Sequence, residues 1–551
     1  MPESIDRLSV RPWFVSVILA LLPTCGRDDG RGVRDSDVAF RGVESPPSVR
    51  PTQSQAATPE LVDLGRRTFV RHCAPCHGED GGGEGAVAWL LYPRPRDLVA
   101  ARYRLVSTWD RVPTDEDLFV TISRGMPGSA MPSWSHLPEE TRWGLVHYVK
   151  SLAKRPWTIP PTVASPPGQQ GEGILVVPPE PPMDEVARGR ATEIFAKSCA
   201  PCHGSTGKGD GQQKQEDDKG FPTRPRDLTR GIFKGLPDAE AVYRRIVIGL
   251  PGSPMPTSSY LHGDDAWILT RWVLALTSEE QREKNEMRRF VVRVPLTEEA
   301  PSHPDDGRWR EAPPVNLHLM PLWWRDDRPE LLTVRALRDA RQIAFLLQWS
   351  DETHDDTSMR PQDFRDACAI ELSADPDPPF FGMGEELKLV NIWMWKSERQ
   401  SDLDAPFRDL EAVYPNIGID SYPNLTRAPY EQPLRHALTL ESDREFVTAW
   451  AAGNIVADPT RKTPVENLVA QGQGTLRARP AADQTVEAVG VHTTGTYRVA
   501  LRRSLRGSGN DAIDLKPRDT ISVAFAVWNG AAGDRDGKKS VTIWQELRFE
   551  D

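Results

Sequence analysis

A chain of 551 residues is longer than one compact core, so two to four domains are expected. A net charge of −11 argues against a nucleic-acid partner, which needs a basic face. Six cysteines, four of them in two close pairs, are too few to frame a secreted fold of this size with disulfides; they point to local cysteine chemistry.

The chain opens with Arg7 and Arg11, the apolar run Trp13 to Leu22, and Cys25. That run is too short to span a bilayer and has the basic flank of a secretory signal, so residues 1–25 read as a signal peptide and the mature protein as periplasmic or extracytoplasmic. Leu22-x-x-Cys25 resembles a bacterial lipobox, although Thr24 is atypical there. If it is one, Cys25 is a lipid anchor and the chain's own link to a membrane. Residues 26–58 read as a flexible tether.

A repeat fills the next 220 or so residues. Leu64 to Gly78, containing Cys73-Ala-Pro-Cys76-His77, returns as Arg190 to Gly204, containing Cys199-Ala-Pro-Cys202-His203. Arg96-Asp97-Leu98 returns as Arg226-Asp227-Leu228, and the loop ending Met131-Pro132 returns as the one ending Met255-Pro256. The offsets are 126, 130 and 124, which defines two copies of one helical unit, residues 59–155 and 185–280. Each copy opens with a helix carrying Phe69 or Phe195 and closes with an amphipathic helix, Pro138 to Leu152 or Asp264 to Leu276. Nine prolines between Arg155 and Asp184 mark residues 156–184 as an extended linker. From 281 to 551 the texture changes to short β-branched and aromatic runs separated by turn signals. Leu332 to Leu337, Ile343 to Trp349, Leu389 to Trp393, Tyr497 to Leu501, Ile521 to Trp528 and Val541 to Trp544 predict strands. The fold class is thus multidomain: two small all-α units, then an all-β sandwich with long loops.

The chemistry concentrates in the repeat. Cys-x-x-Cys-His is the c-type haem attachment pattern: two thiols on one turn reach the porphyrin vinyl groups and the adjacent imidazole meets the iron. Met131 and Met255 lie 54 and 52 residues after His77 and His203 and suit the second axial position. A thioether opposite imidazole gives a six-coordinate iron suited to electron transfer. Met126 competes in the first copy, but its counterpart is Leu250, which cannot ligate, whereas Met131 matches Met255. Two readings compete: a thioredoxin-like dithiol in each copy, and one zinc site built from both pairs. Neither accounts for the histidines and the later Met-Pro together. His72 reads as a solvated helix residue, since Ser198 replaces it in the second copy.

On these motifs both copies resemble class I cytochrome c domains. The resemblance implies a helical wrap around one covalent haem in each, with the loops Gly81 to Gly85 and Gly207 to Gly211 lying against it. Arg96 and Arg226 become candidate propionate partners, an ion pair with the neighbouring aspartate being the alternative. The C-terminal segments Val292 to Leu296, Ala344 to Asp351, Gly382-Met383-Gly384, Val390 to Lys396, Thr463 to Ala470 and Ala524 to Gly530, with Trp309, resemble the haem-binding γ subunit of ethylbenzene dehydrogenase. That subunit belongs to the type II branch of the DMSO reductase family. This resemblance implies a β-sandwich holding one non-covalent b haem between Met383 and a lysine, Lys539 or its neighbour Lys538. It also implies redox partners of the iron–sulfur and molybdopterin subunit type. Cys368 reads as a buried strand residue.

The expectation is therefore a non-catalytic electron-transfer protein with two haems c and one haem b. A dihaem peroxidase-like enzyme with a haem-free docking sandwich is the alternative.

Overall fold

The computed structural model describes residues 48–550, leaving aside 165–168, 218, 262–263, 381, 405–412, 415, 417–443, 445–447, 459 and 516–520. Residues 1–25, read above as a signal peptide ending at Cys25, and residues 26–47 of the expected tether lie outside the described residues. A helical N-terminal region precedes a β-rich C-terminal domain.

In the first copy, α1 (Pro59–His72) begins at Thr58, whose hydroxyl accepts from the Leu61 amide. The Cys-x-x-Cys-His segment is a single helical turn, α2 (Ala74–His77). The copy continues with α3 (Asp115–Arg124), started by a capping box at Thr114 and Asp117, and closes with α4 (Glu139–Ser151). The second copy repeats the plan. Its first helix α5 (Glu185–Ile194) runs through a π-turn into α6 (Ala200–His203), followed by α7 (Ala239–Ile248) and α8 (Asp265–Ala275).

Equivalent aromatic residues pack equivalently. Phe69 meets Tyr148 at 5.2 Å where Phe195 stacks on Trp272 at 3.9 Å, and Phe119 meets Trp143 where Tyr243 meets Trp267. One difference separates the copies. In the first, α1 and α4 cross at Gly65 and Gly144, and a Cβ on Gly65 would stand 2.0 Å from the Gly144 carbonyl oxygen. Ala191 and Ile268 hold those positions in the second copy.

Two segments expected to be loose are docked. Residues 48–55 of the tether lie along α4: Glu139 accepts from the Thr52 amide at 2.8 Å, Arg142 donates to the Ser48 carbonyl, and His147 bonds the Gln55 carbonyl. The Pro-rich linker is not one extended spacer: the Val163 amide donates to the Glu172 carbonyl, so the chain doubles back, and Leu175 is buried in the helical core with its amide donating to the Ser107 carbonyl. Both segments lack helical period yet carry the polar and apolar groups that a neighbouring surface can bind.

The β domain has two sheets around one apolar core. Its strands are β1 (Val291–Val294), β2 (Val315–His318), β3 (Met320–Pro321), β4 (Leu331–Arg338), β5 (Gln342–Ser350), β6 (Ala367–Ser373) and β7 (Val390–Lys396). Then follow β8 (Val465–Ala470), β9 (Arg477–Ala478), β10 (Glu487–Thr493), β11 (Thr496–Ser504), β12 (Ile521–Trp528), β13 (Ser540–Val541) and β14 (Gln545–Phe549). The smaller sheet runs β10-β11-β5-β4-β2, antiparallel throughout. The larger runs β9-β8-β7-β6-β12-β13-β3, with β14 pairing β12 and, in parallel, β1. The predicted run from Val541 to Trp544 is divided: β13 ends at Val541, and β14 starts at Gln545. Thr542 instead bonds the Phe525 backbone in both directions, and Trp544 is redirected to donate to the Pro379 carbonyl.

The larger sheet is apolar on both faces, with period two deciding which side chain goes where. Cys368, Ile370 and Leu372 of β6 and Val523, Phe525 and Val527 of β12 enter the core between the sheets. Ala367 and Ala369, with Ala524, Ala526 and Trp528, form a second cluster on the opposite face. Cys368 is the buried strand residue the sequence predicts.

Candidate functional site

The first cleft is lined by Cys73, Cys76 and His77 from α2, by Phe69, and by Met126 and Met131 from the loop after α3. The second is lined by Cys199, Cys202, His203, Phe195, Leu250 and Met255. The repeat thus brings both cysteines, the histidine and a methionine together twice. The cysteine pairs line separate clefts, so they do not form one zinc site. The thiols are unpaired, and burial pushes Cys73 and Cys76 up to about 12 and Cys199 up to about 11.

The local geometry follows from the sequence. After α3, Gly125 takes a φ of 70° and after α7 Gly249 takes 75°; a Cβ at either would strike the Pro132 or Pro256 carbonyl oxygen at 2.4 or 2.3 Å. The turn is then closed by the Met126 amide donating to the Met131 carbonyl, and by the Leu250 amide donating to that of Met255. Burial lowers the pKa of both histidines, His203 to about 4, which keeps the imidazole in the neutral, ligating form. His77 Nδ1 lies 2.9 Å from the Arg96 carbonyl oxygen, so it donates there and leaves Nε2 free for a metal. His203 Nδ1 is buried without such a partner.

His72 departs from expectation. Its ring packs 5.1 Å from Trp134 and lines the first cleft, and burial lowers its pKa to about 4. The cause is tertiary: the Arg71–Asp377 ion pair brings a loop of the β domain over this end of α1. Phe380, on that same loop, lines the first cleft. Arg96 and Arg226 both line clefts, and Asp227 pairs with Arg230 at 3.3 Å.

In the β domain, Met383 packs against the outer apolar face of the larger sheet. Its φ of 106° is rare for a residue with a side chain, and it lies between Gly382 and Gly384, which also have positive φ. Its amide donates to Glu371 Oε1 at 3.2 Å. Lys539 reaches the same face: its ammonium lies 4.9 Å from the centroid of the Trp528 ring, and Glu371 interacts with it electrostatically. Burial lowers the Lys539 pKa and raises that of Glu371 to about 7. Lys538 turns instead to Trp323, at 5.7 Å. Ala369 and Ala526 stand opposite each other on this face, in the same apolar cluster against which Met383 packs. Glu371 escaped the sequence reading; its signal was a lone carboxylate on the Ala367, Ala369 face of an otherwise apolar strand.

With the geometry in place, the chain can be compared with known families. Residues 306–540 match the family described as ethylbenzene dehydrogenase. Over those residues this domain is similar to that family. Residues 60–149 match the family described as cytochrome c oxidase, cbb3-type, subunit III. The chain therefore combines a cytochrome c-type helical region with an ethylbenzene dehydrogenase-type domain. It is 25% identical over 266 residues to the dimethylsulfide dehydrogenase subunit gamma of Rhodovulum sulfidophilum, covering 46% of this chain and 77% of that protein. It is 23% identical over 256 residues to the chlorate reductase subunit gamma of Ideonella dechloratans, covering 45% and 79%. It is also 27% identical over 213 residues to the cbb3-type cytochrome c oxidase subunit FixP of Azorhizobium caulinodans, covering 37% of this chain and 56% of that protein. Among the described residues no helix is long and apolar enough to cross a membrane.

Proposed function

We propose that this chain is a periplasmic, non-catalytic electron relay with one covalent haem c in each repeat copy and one haem b on the outer face of the larger sheet. The observation that carries the reading is the twofold recurrence of a cleft holding two thiols, a neutral imidazole and a thioether. Haem so held supplies one-electron iron chemistry. The chain's own residues would do the rest: Cys73, Cys76, Cys199 and Cys202 would tether the group, His77, Met131, His203 and Met255 would hold its iron, and Phe69 and Phe195 would help exclude water. A methionine in each cleft counts against a peroxidase, which needs an open iron face.

Met383 and Lys539 are the proposed b-haem ligands, supported by their meeting at Glu371. The order of carriers would be b, first c, second c. Tyr92 of the first copy bonds Leu322 and Trp324 of the β domain, and Leu322 in turn bonds the Lys539 carbonyl. These contacts, with Phe380 at the first cleft, support that order. Partners would be separate redox subunits, of iron–sulfur and molybdopterin type, as the γ-subunit likeness suggests.

The test is a haem inventory of protein matured with a periplasmic cytochrome c assembly system. Two haems should stay with the chain in acidified acetone and one should extract. Retention of none or three would overturn the reading, and extraction of none would remove the b site.

A further inference from the structure

Four cations converge where the two repeat copies meet. Arg96 and Arg104 come from the first copy, and Arg226 and Lys234 are their counterparts at the same offset of 130 in the second. All four line the first cleft, while Arg226 and Lys234 also line the second. Arg226 reaches across the boundary: its Nη2 donates to the Pro127 carbonyl at 3.0 Å, beside the loop that carries Met131, and its Nε is buried without a partner. Lys234 faces Arg96, Arg104 and Arg226, which together with burial hold its pKa well below the usual value. The same ammonium also acts on His203 of the second cleft.

Among the described residues, two carboxylates lie near this cluster. Asp217 stands 3.9 Å from Arg104, and Glu330 is taken by Arg230 at 3.0 Å and Arg328 at 2.5 Å. Buried like charges repel and lose hydration unless anions compensate them. A haem presents a pair of propionates, anions that fit the unpartnered Arg226 Nε and the Lys234 ammonium beside it.

We propose that Arg226 and Lys234 form one wall shared by both clefts, taking propionates from the haem of the first copy as well as from that of their own. The inference rests on the proposed function, since it needs a haem in each cleft. It makes a second-copy residue a determinant of the first haem's potential. A nearby cation favours the ferrous state, which carries less positive charge, so loss of that cation lowers the potential.

The test is a redox titration of the full-length holoprotein carrying Lys234→Gln, with the two c components resolved. The component belonging to the first haem is identified by its displacement in Met131→His. Both c components should shift to lower potential in Lys234→Gln, and Lys234→Arg should restore both. Arg104→Gln, at a residue that lines the first cleft alone, should shift chiefly the first component. Haem content is measured on every sample. Fewer than two covalent haems in the wild type would sink the proposed function itself. Two covalent haems with only the second component shifted by Lys234→Gln, or with neither shifted, would overturn the shared wall. If Lys234→Gln fails to fold, Arg226→Lys, which keeps the charge but loses the reach to Pro127, should move the first component; an unmoved first component would again overturn it.

Discussion

Lysine ligates iron only as the neutral amine, because an ammonium has no lone pair. Burial already lowers the Lys539 pKa, with Glu371 opposing. A lysine whose pKa is depressed on folding contributes stability that is complete above its unfolded value and is lost as pH falls through the folded one. Ligation adds to this, since the iron must compete with a proton at about 1.4 kcal/mol per pH unit. On the proposed reading, acidification should therefore release the b haem while both c haems keep their spectra. Lys539→Ala should reproduce that loss at neutral pH, and Lys538→Ala should leave the b absorbance intact. Visible spectra across a pH series decide it; loss with Lys538→Ala instead would move the ligand by one residue. At the c sites, Met131→His and Met255→His should each lower the potential of one haem, because imidazole stabilises ferric iron more than thioether does.

Helix packing sets the next scale. The α1–α4 crossing is a backbone contact: Gly65 has no room for a methyl group against the Gly144 carbonyl. Gly65→Ala should force the helices apart at a cost of about 1–3 kcal/mol and disturb the first cleft, which Phe69 of α1 lines. Thermal unfolding followed in the Soret band should show a lower midpoint for the first haem's environment. The second copy, where Ala191 already stands at that position, supplies the internal control. Strand periodicity was legible where apolar residues alternate with polar ones, as Leu332 and Val334 do with Thr333 and Arg335 in β4. The division between β13 and β14 was not, because Val541 to Trp544 is one run of β-branched and aromatic residues, and the Thr542 bonds to Phe525 interrupt its pairing.

At the scale of the whole molecule, Arg124 joins three parts of the chain. It is only 3% exposed, and its guanidinium pairs with Glu286 at 2.7 Å and donates to the Phe233 carbonyl at 2.9 Å. Arg124→Ala would leave the Phe233 carbonyl and the Glu286 carboxylate short of a donor, at about 1–3 kcal/mol. Urea unfolding should show the lower midpoint, and limited proteolysis should become faster around Glu279–Lys284. An unchanged midpoint would mean that other contacts hold the repeat against the β domain.

Iron-binding chemistry is local in the chain. The spacing Cys, Cys, His lies within one turn and recurs with a methionine at nearly constant distance, so the sequence alone determined which cysteines, histidines and methionines line the two clefts. It also determined the alternating strands and the likeness to the ethylbenzene dehydrogenase family. Tertiary structure alone decided which lysine faces Trp528, that Glu371 stands between Met383 and Lys539, that His72 is covered, and that residues 48–55 are docked. It alone brought Arg226 and Lys234 to the wall of the other copy's cleft. Those contacts join residues a hundred or more positions apart in several cases, and no periodicity in a sequence records which surfaces will meet.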